Sequence, residues 1–233
     1  MANGENASGG FGLLEKDAME LLDAGIDVLT SGNHIWDKRA GVDLLETDLP
    51  ILRPENYPAG NPGRGMMRIV AETGCALWVM NLQGRILMSP IDCPFRCADL
   101  LLERVPDSER CVLVDFHAEA TSEKRAMGWH LDGRVSAVLG THTHVQTSDE
   151  EILPGGTAYI TDVGMTGPYE SVIGMRKEDS LHRILKGTPR ALNVARGGVA
   201  VAGVAIELDE STGKCLTMER LLLRESALEE RSR

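Results

Sequence analysis

The sequence predicts an α/β fold in which layered, mixed β-sheets are flanked by helices. Short apolar segments alternate along the chain with segments of helical periodicity. Polar side chains able to bind metal follow directly after three of the apolar segments, as expected at the carboxyl ends of strands in an open α/β sheet. The last part of the chain has the pattern of an antiparallel strand pair. Together these features favour a layered domain with a site at one sheet edge.

The first elements are two helices with a buried strand between them. A helix is predicted over residues 13–22, because leucines recur there at helical spacing and Gly25 follows at the C-cap position. A strand is predicted over residues 26–30, and the polar loop 31–34 follows it. A second, shorter helix is predicted over residues 38–45.

The middle of the chain predicts a hairpin, a helix and two more buried strands, and the end predicts another hairpin. The turn at 72–74 separates two apolar segments, and a turn at 209–213 does the same near the end. The predicted bounds are 66–70 and 76–82 for the first hairpin, 93–105 for the helix, 111–116 and 135–139 for the buried strands, and 199–208 and 215–223 for the last hairpin.

Composition limits the classes of protein that fit. A chain of 233 residues with 42% hydrophobic content predicts one domain, over residues 1–225, and a charged tail over residues 226–233. The net charge of -11 argues against a stable complex with nucleic acid. The five cysteines form no CxxC pair, which argues against a disulfide framework and a thiolate zinc site. No leader or membrane span is recognisable, so a cytoplasmic protein is expected.

Three histidines favour a metal site. His142 and His144 are two residues apart, and in an extended segment both would point to the same side. His117 directly follows another predicted strand. A lone HxH is more often a pair of half-exposed histidines, but His117 at a neighbouring strand end favours metal binding.

The loop sequence Gly32-Asn33-His34 adds different chemistry. Asn33 offers a neutral amide oxygen to a cation, and His34 can stand beside the metal as an acid. Asp37 either hydrogen-bonds His34 or caps the helix over residues 38–45, and the sequence leaves both readings open.

Glu5 and Asn6 complete a ligand set of nitrogen and oxygen atoms without sulfur. Such a set suits iron, manganese, zinc or nickel, and of these iron is favoured here, with manganese or zinc as the alternatives. The set is too large for one open catalytic metal, so two divalent or mixed-valence ions are expected, with Glu5 as the bridge. The six candidate ligands are Glu5, Asn6, Asn33, His117, His142 and His144.

These motifs resemble a known family. The order GEN, GNHxWD, DFHAEATSEK, GTHTHVQT and TDVGMTGP is similar to the YmdB-like branch of the calcineurin-like metallophosphoesterases. The likeness runs from Asn3 to the C-terminal hairpin. It implies the calcineurin-like fold and hydrolysis of phosphodiesters, notably 2′,3′-cyclic nucleotides, so the expected partner is a small nucleotide or phosphodiester.

The resemblance also implies a role for each candidate residue. Glu5 would bridge the two ions and His34 would be the general acid that protonates the leaving oxygen, while a hydroxide held by both metals attacks phosphorus. Asn6 and His144 would serve the first metal, and Asn33, His117 and His142 the second.

The sequence departs from the family at its start. Members begin with a strand and a GDxxG loop whose aspartate binds the first metal, and neither precedes GEN here. We therefore expect that the N-terminal βα unit is missing, through a misassigned start, a fragment or a true short form. The first metal would then bind weakly, with low activity, and an exposed strand edge would favour a homo-oligomer.

Other functions remain open on sequence grounds. A phosphomonoesterase or protein phosphatase is the nearest alternative. A non-catalytic regulator that binds metal or nucleotide is another, because the first metal site looks incomplete. A non-haem iron redox enzyme fits less well, since it needs two histidines and one carboxylate around a single iron.

Overall fold

The computed structural model describes residues 1–225, so the tail predicted at 226–233 lies outside the described residues. Five α-helices, one short 3-10 helix (Asn33–Trp36) and eleven strands are described. The helices are α1 (Glu15–Asp23), α2 (Arg39–Leu44), α3 (Pro94–Leu102), α4 (Thr121–Leu131) and α5 (Lys177–Lys186). The strands are β1 (Ala2–Asn3), β2 (Leu29–Thr30), β3 (Met66–Val70), β4 (Ala76–Gln83), β5 (Cys111–His117), β6 (Ala137–Thr141), β7 (Glu151–Ile152), β8 (Ala158–Ile160), β9 (Gly167–Pro168), β10 (Val199–Leu208) and β11 (Cys215–Arg224).

A six-stranded sheet in the order β3-β4-β5-β6-β8-β7 forms the centre of the fold. Strands β4, β5, β6 and β8 run parallel to one another, and the edge strands β3 and β7 are antiparallel to their neighbours. The register pairs Gln83 with His117, and His117 with Thr141. The carboxyl ends of three adjacent strands therefore meet at one edge.

The two faces of this sheet bury different partners because side chains alternate along each strand. Val114, Val138 and Tyr159 belong to the core that includes residues of α3 and α4. Leu139 and Ile160 point to the opposite face, where β10 and β11 pack. The observed layers confirm the prediction of mixed sheets flanked by helices.

A two-stranded parallel sheet of β1 and β2 lies beside the large sheet and packs with α1 and α2. Asn81 of β4 joins this small sheet to the large one by hydrogen bonds. Its side chain accepts from Ser31 N (2.9 Å) and donates to Ser31 O (3.0 Å). The strand predicted over 26–30 is observed only as β2 (Leu29–Thr30), and it belongs to this separate sheet. The predicted absence of an N-terminal βα unit stays a prediction.

Most of the other predicted elements are confirmed. Both hairpins form with the predicted turns, and the helix expected over 93–105 is observed as α3. The helices α4 and α5 and the short strands β7, β8 and β9 were not predicted. Within residues 1–225, no helix combines the length and the apolar character that crossing a membrane requires.

Candidate metal centre

The candidate site lies where β1, β2, β5 and β6 end, and each strand contributes side chains. Glu5 follows β1, and Asn33 opens the 3-10 helix after β2. His117 is the last residue of β5, and His142 directly follows β6. The structure brings side chains from several strand ends to one place, as the sequence predicts, although β1 and β2 form their own sheet.

Four of the predicted ligands meet around His117, and we call them the His117 cluster: Glu5, Asn33, His117 and His142. His117 Nε2 lies 3.2 Å from Glu5 Oε1, 3.0 Å from Asn33 Oδ1 and 3.0 Å from His142 Nδ1. Glu5 and His117 are only 3% and 1% exposed. The ligand atoms of Glu5, His117 and His142 all lie within 4.8 Å of one another, so these residues form a possible metal-binding group.

The surrounding hydrogen bonds fix which nitrogen of His117 faces the cluster. The Thr141 hydroxyl donates to Asp115 Oδ1 (2.7 Å), so its oxygen accepts from His117 Nδ1 (2.9 Å). This leaves a lone pair on His117 Nε2. His142 is fixed in a similar way, because its Nε2 lies 3.1 Å from Glu119 Oε2 and donates there, leaving Nδ1 bare.

The His117 cluster is therefore a convergence of acceptors. Two ring nitrogens with lone pairs, the Glu5 carboxyl and an amide oxygen face each other, and when Glu5 is ionised no donor hydrogen lies between them. Such an arrangement is repulsive without a cation and favourable around one. Imidazole, carboxylate and amide donors fit iron, manganese or zinc.

Burial shapes the protonation of the cluster. Burial raises the pKa of the Glu5 carboxyl to about 8, with the Asp115 charge adding to the shift. Burial lowers the pKa of His117 well below its usual value, and the neighbouring His142 and Lys124 charges act in the same direction. Burial likewise lowers the pKa of His142. Both imidazoles are therefore neutral at physiological pH, which is the form that binds metal.

The other two predicted ligands form a second, smaller group, the Asn6–His144 pair. Asn6 Nδ2 donates to His144 Nε2 at 3.2 Å, and His144 Nδ1 donates to the carbonyl oxygen of Ile173 at 2.9 Å. Asn6 Oδ1 is buried and has no hydrogen-bond partner among the described residues. An orphaned amide oxygen beside an imidazole nitrogen is a place where a cation would supply the missing partner.

His34 stands next to the cluster, in the 3-10 helix that begins at Asn33. Its backbone N donates to Glu5 Oε2 (3.1 Å), and its Nδ1 donates to Asp37 Oδ2 (2.8 Å). Helix α2 begins at Arg39 with no side-chain cap, so of the two readings of Asp37 the structure supports the bond to His34. The ring is partly exposed and packs edge-on against Phe11.

Two glycines of the motifs allow backbone to approach the site. A Cβ on Gly32 would lie 2.2 Å from the His117 ring, so any side chain there would displace the imidazole. A Cβ on Gly140 would lie 1.7 Å from the carbonyl oxygen of Thr161 on the neighbouring segment. Gly140 is therefore needed for the close packing of β6 against this segment.

The HxH segment is not extended, which corrects one step of the sequence argument. His142 and His144 lie beyond the end of β6 and have φ values of 105° and 64°. Non-glycine residues rarely adopt this left-handed region, and such strain is typical of functional sites. The two rings therefore reach different groups: His142 joins the His117 cluster and His144 pairs with Asn6.

Sequence reasoning missed several residues that hold these side chains in place. Asp115 and Thr141 fix His117, and Glu119 fixes His142. Asp115 is 1% exposed and also accepts from Asn3 Nδ2 and the Thr30 hydroxyl, while burial raises its pKa to about 6. All three residues lie inside the quoted motifs, and for Asp115 and Thr141 the available signal was a polar residue in a buried strand next to a candidate histidine.

Comparison with known proteins shows the family of this chain. The family model described as YmdB-like protein matches residues 1–221. The chain is 48% identical over 221 residues to the 2′,3′-cyclic-nucleotide 2′-phosphodiesterase of Bacillus subtilis (strain 168), a match that covers 95% of this chain and 83% of the relative.

Two solved structures have the same fold. A hypothetical protein from Thermus thermophilus superimposes with a TM-score of 0.90 and 45% identity, covering 96% of this chain and 86% of the other. A phosphatase from Mycoplasma pneumoniae superimposes with a TM-score of 0.88 and 33% identity, covering 97% and 83%. With a family match over almost the whole chain, the protein belongs to the YmdB-like family.

Proposed function

We propose that this protein is a metal-dependent phosphodiesterase that hydrolyses 2′,3′-cyclic nucleotides or related phosphodiesters. The convergence of acceptor atoms in the His117 cluster carries the proposal, because such a group of imidazole, carboxyl and amide donors suits a cation. The similarity to a 2′,3′-cyclic-nucleotide 2′-phosphodiesterase supports the substrate class.

We assign two metal ions to the centre, with iron favoured and manganese or zinc as alternatives. The His117 cluster would hold one ion, the Asn6–His144 pair would hold the other, and Glu5 would contribute to both. When bound, the ions supply Lewis-acid stabilisation of charge on the phosphoryl oxygens. The orphaned Asn6 Oδ1 and the sulfur-free donor set support this assignment.

His34 acts on the leaving oxygen. Its Nδ1 is committed to Asp37, so Nε2 is the nitrogen available to hand a proton to the substrate. The Asp37 carboxylate holds the ring in one tautomer. When the P–O bond to a ribose oxygen breaks, His34 protonates that oxygen and the hydroxyl leaves neutral.

The substrate class is tested by comparing diesters with monoesters. The purified protein, loaded with manganese or iron, is assayed on 2′,3′-cyclic AMP, bis(p-nitrophenyl) phosphate and p-nitrophenyl phosphate. We expect turnover of both diesters, slower turnover of the monoester, and loss of all turnover after chelation. Faster hydrolysis of the monoester would favour a phosphomonoesterase, and binding of cyclic nucleotide without turnover would favour a regulator.

The role of His34 is tested with His34→Asn and two leaving groups. General acid catalysis contributes about 10²–10⁴-fold, so we expect kcat on 2′,3′-cyclic AMP to fall by about that factor. p-Nitrophenolate needs no proton to leave, so the loss on bis(p-nitrophenyl) phosphate is expected to be small. Metal content, measured on both proteins, controls for damage to the centre. Equal losses on the two substrates would remove His34 from the acid role.

A further inference from the structure

The segment that carries His142 and His144 is held in an unfavourable conformation by contacts outside the candidate ligands. Both histidines have positive φ values, and Thr143 lies between them. A backbone of this kind persists only where neighbouring groups fix it. The group that fixes it therefore sets where both imidazoles point.

Asp162 makes those fixing contacts. It lies just beyond β8, and its Oδ2 accepts from Thr143 N at 3.0 Å and from the Thr143 hydroxyl at 2.8 Å. Its Oδ1 accepts from Gly164 N at 2.9 Å. One carboxylate thus binds both donors of the residue that separates the two histidines.

A buried ammonium group holds Asp162 in turn. Lys124 of α4 donates from Nζ to Asp162 Oδ2 at 2.7 Å, and each residue is 1% exposed. Lysine and aspartate are almost never fully buried unless paired, and burying such a pair seldom gains stability over apolar side chains. Stability alone therefore gives little reason for a buried ion pair next to the histidine segment.

We propose that the Lys124–Asp162 pair is the positioning device of the metal centre, which holds Thr143 so that His142 and His144 face their two ligand groups. This inference rests on the proposed function, because it concerns the same centre. Neither residue contacts substrate in this scheme. Asp162 acts through the backbone and hydroxyl of Thr143.

The test is metal binding by the metal-free protein, with Asp162→Asn as the main variant. The asparagine amide must place its donor either against Lys124 and Thr143 or against Gly164 N, and it removes the charge that pairs with Lys124, so the anchor of the segment is weakened. Groups that orient metal ligands typically contribute about 10–100-fold to metal affinity, and we expect Mn²⁺ affinity, measured by calorimetric titration, to fall by that factor. The melting temperature of each metal-free protein is recorded alongside.

The matched control is Asp132→Asn. Asp132 directly follows α4, and its carboxylate accepts from Gly155 N, at 2.8 Å to Oδ2, before β8 begins. It therefore joins the same helix and strand as the Lys124–Asp162 pair, at their other ends. We expect this variant to bind Mn²⁺ like the wild type, whatever its melting temperature.

Each outcome separates this inference from the proposed function. Wild-type protein that binds no metal would overturn the proposed function itself. Wild-type binding with equal affinity in folded Asp162→Asn would overturn only the positioning role. If Asp162→Asn does not fold, Thr143→Val and Thr143→Ser decide: the serine keeps the hydroxyl and should bind as wild type, while the valine should bind about tenfold more weakly. Equal affinities would overturn the role.

Discussion

The two ligand groups of the candidate centre differ in how completely the described residues build them. The His117 cluster brings four ligand residues together, and the hydrogen of each of its histidine rings is committed to a named partner. The Asn6–His144 pair has two residues besides Glu5, and the amide oxygen of Asn6 has no hydrogen-bond partner among residues 1–225. In the proposed two-metal centre, we therefore expect the His117 cluster to bind metal more tightly than the Asn6–His144 pair.

Replacing His117 is expected to have the largest effect. His117→Ala removes the donor around which the cluster is organised, and a bound metal contributes several kcal/mol to catalysis. At about 1.4 kcal/mol per tenfold change in rate, we expect kcat/KM on 2′,3′-cyclic AMP to fall by at least about 10³-fold. Metal analysis should show loss of the tightly bound ion.

The surface histidine His182 supplies the control for this variant. It lies on α5 and contacts Thr188, and His182→Ala should keep the wild-type activity and metal content. If His117→Ala kept a tightly bound ion and lost only the weak one, the ranking of the two groups would be reversed.

Replacing Asn6 is expected to have an intermediate effect. Asn6→Ala removes the orphaned oxygen from the pair and leaves the His117 cluster intact. We expect the tight metal site to persist, the weaker site to be lost, and kcat/KM to fall by about 10²-fold, since one of two sources of Lewis-acid stabilisation is gone.

Asn6→Asp tests the same site in the opposite direction, because it should strengthen metal binding there instead of weakening it. A carboxylate in place of the amide adds negative charge to the weaker site, so the second ion should bind more tightly than in the wild type. Titration with Mn²⁺ gives both affinities. An Asn6→Asp protein with unchanged second-site affinity would show that the pair does not hold an ion.

The fold was predicted where the chain carries a clear apolar period. Strands β4 and β5 and both hairpins follow from apolar runs and turn residues. Helix α4 was missed because two of its buried positions are Glu123 and Lys124, which break the apolar stripe that marks an amphipathic helix. These buried charges serve other parts of the fold: Lys124 binds Asp162, and Glu123 accepts from Arg85 N.

The candidate ligands could be predicted from motifs, but the contacts that orient them could not. Asp115 and Thr141 are 26 residues apart, and Asn3 and Asp115 are 112 apart, so no local pattern reveals their hydrogen bonds. The conformation of the HxH segment could not be predicted either. The positive φ values of its histidines depend on the Asp162 contacts, and no local sequence pattern indicates those contacts.

The smallest effect on metal binding is expected from replacing Thr141, which acts on the His117 cluster indirectly by orienting the His117 ring. Thr141→Val keeps the shape of the side chain but removes the oxygen that accepts from His117 Nδ1 and the hydroxyl that donates to Asp115. The ring can then turn, so Mn²⁺ affinity at the tight site should fall by about tenfold, at the lower end for groups that orient a metal-binding histidine. Thr141→Ser keeps the hydroxyl and should bind metal as the wild type does. If the valine and serine variants bound metal with equal affinity, the metal affinity of the His117 cluster would depend on its candidate ligands alone. The hydrogen bonds that link Asp115, Thr141 and His117 would then make no contribution to it.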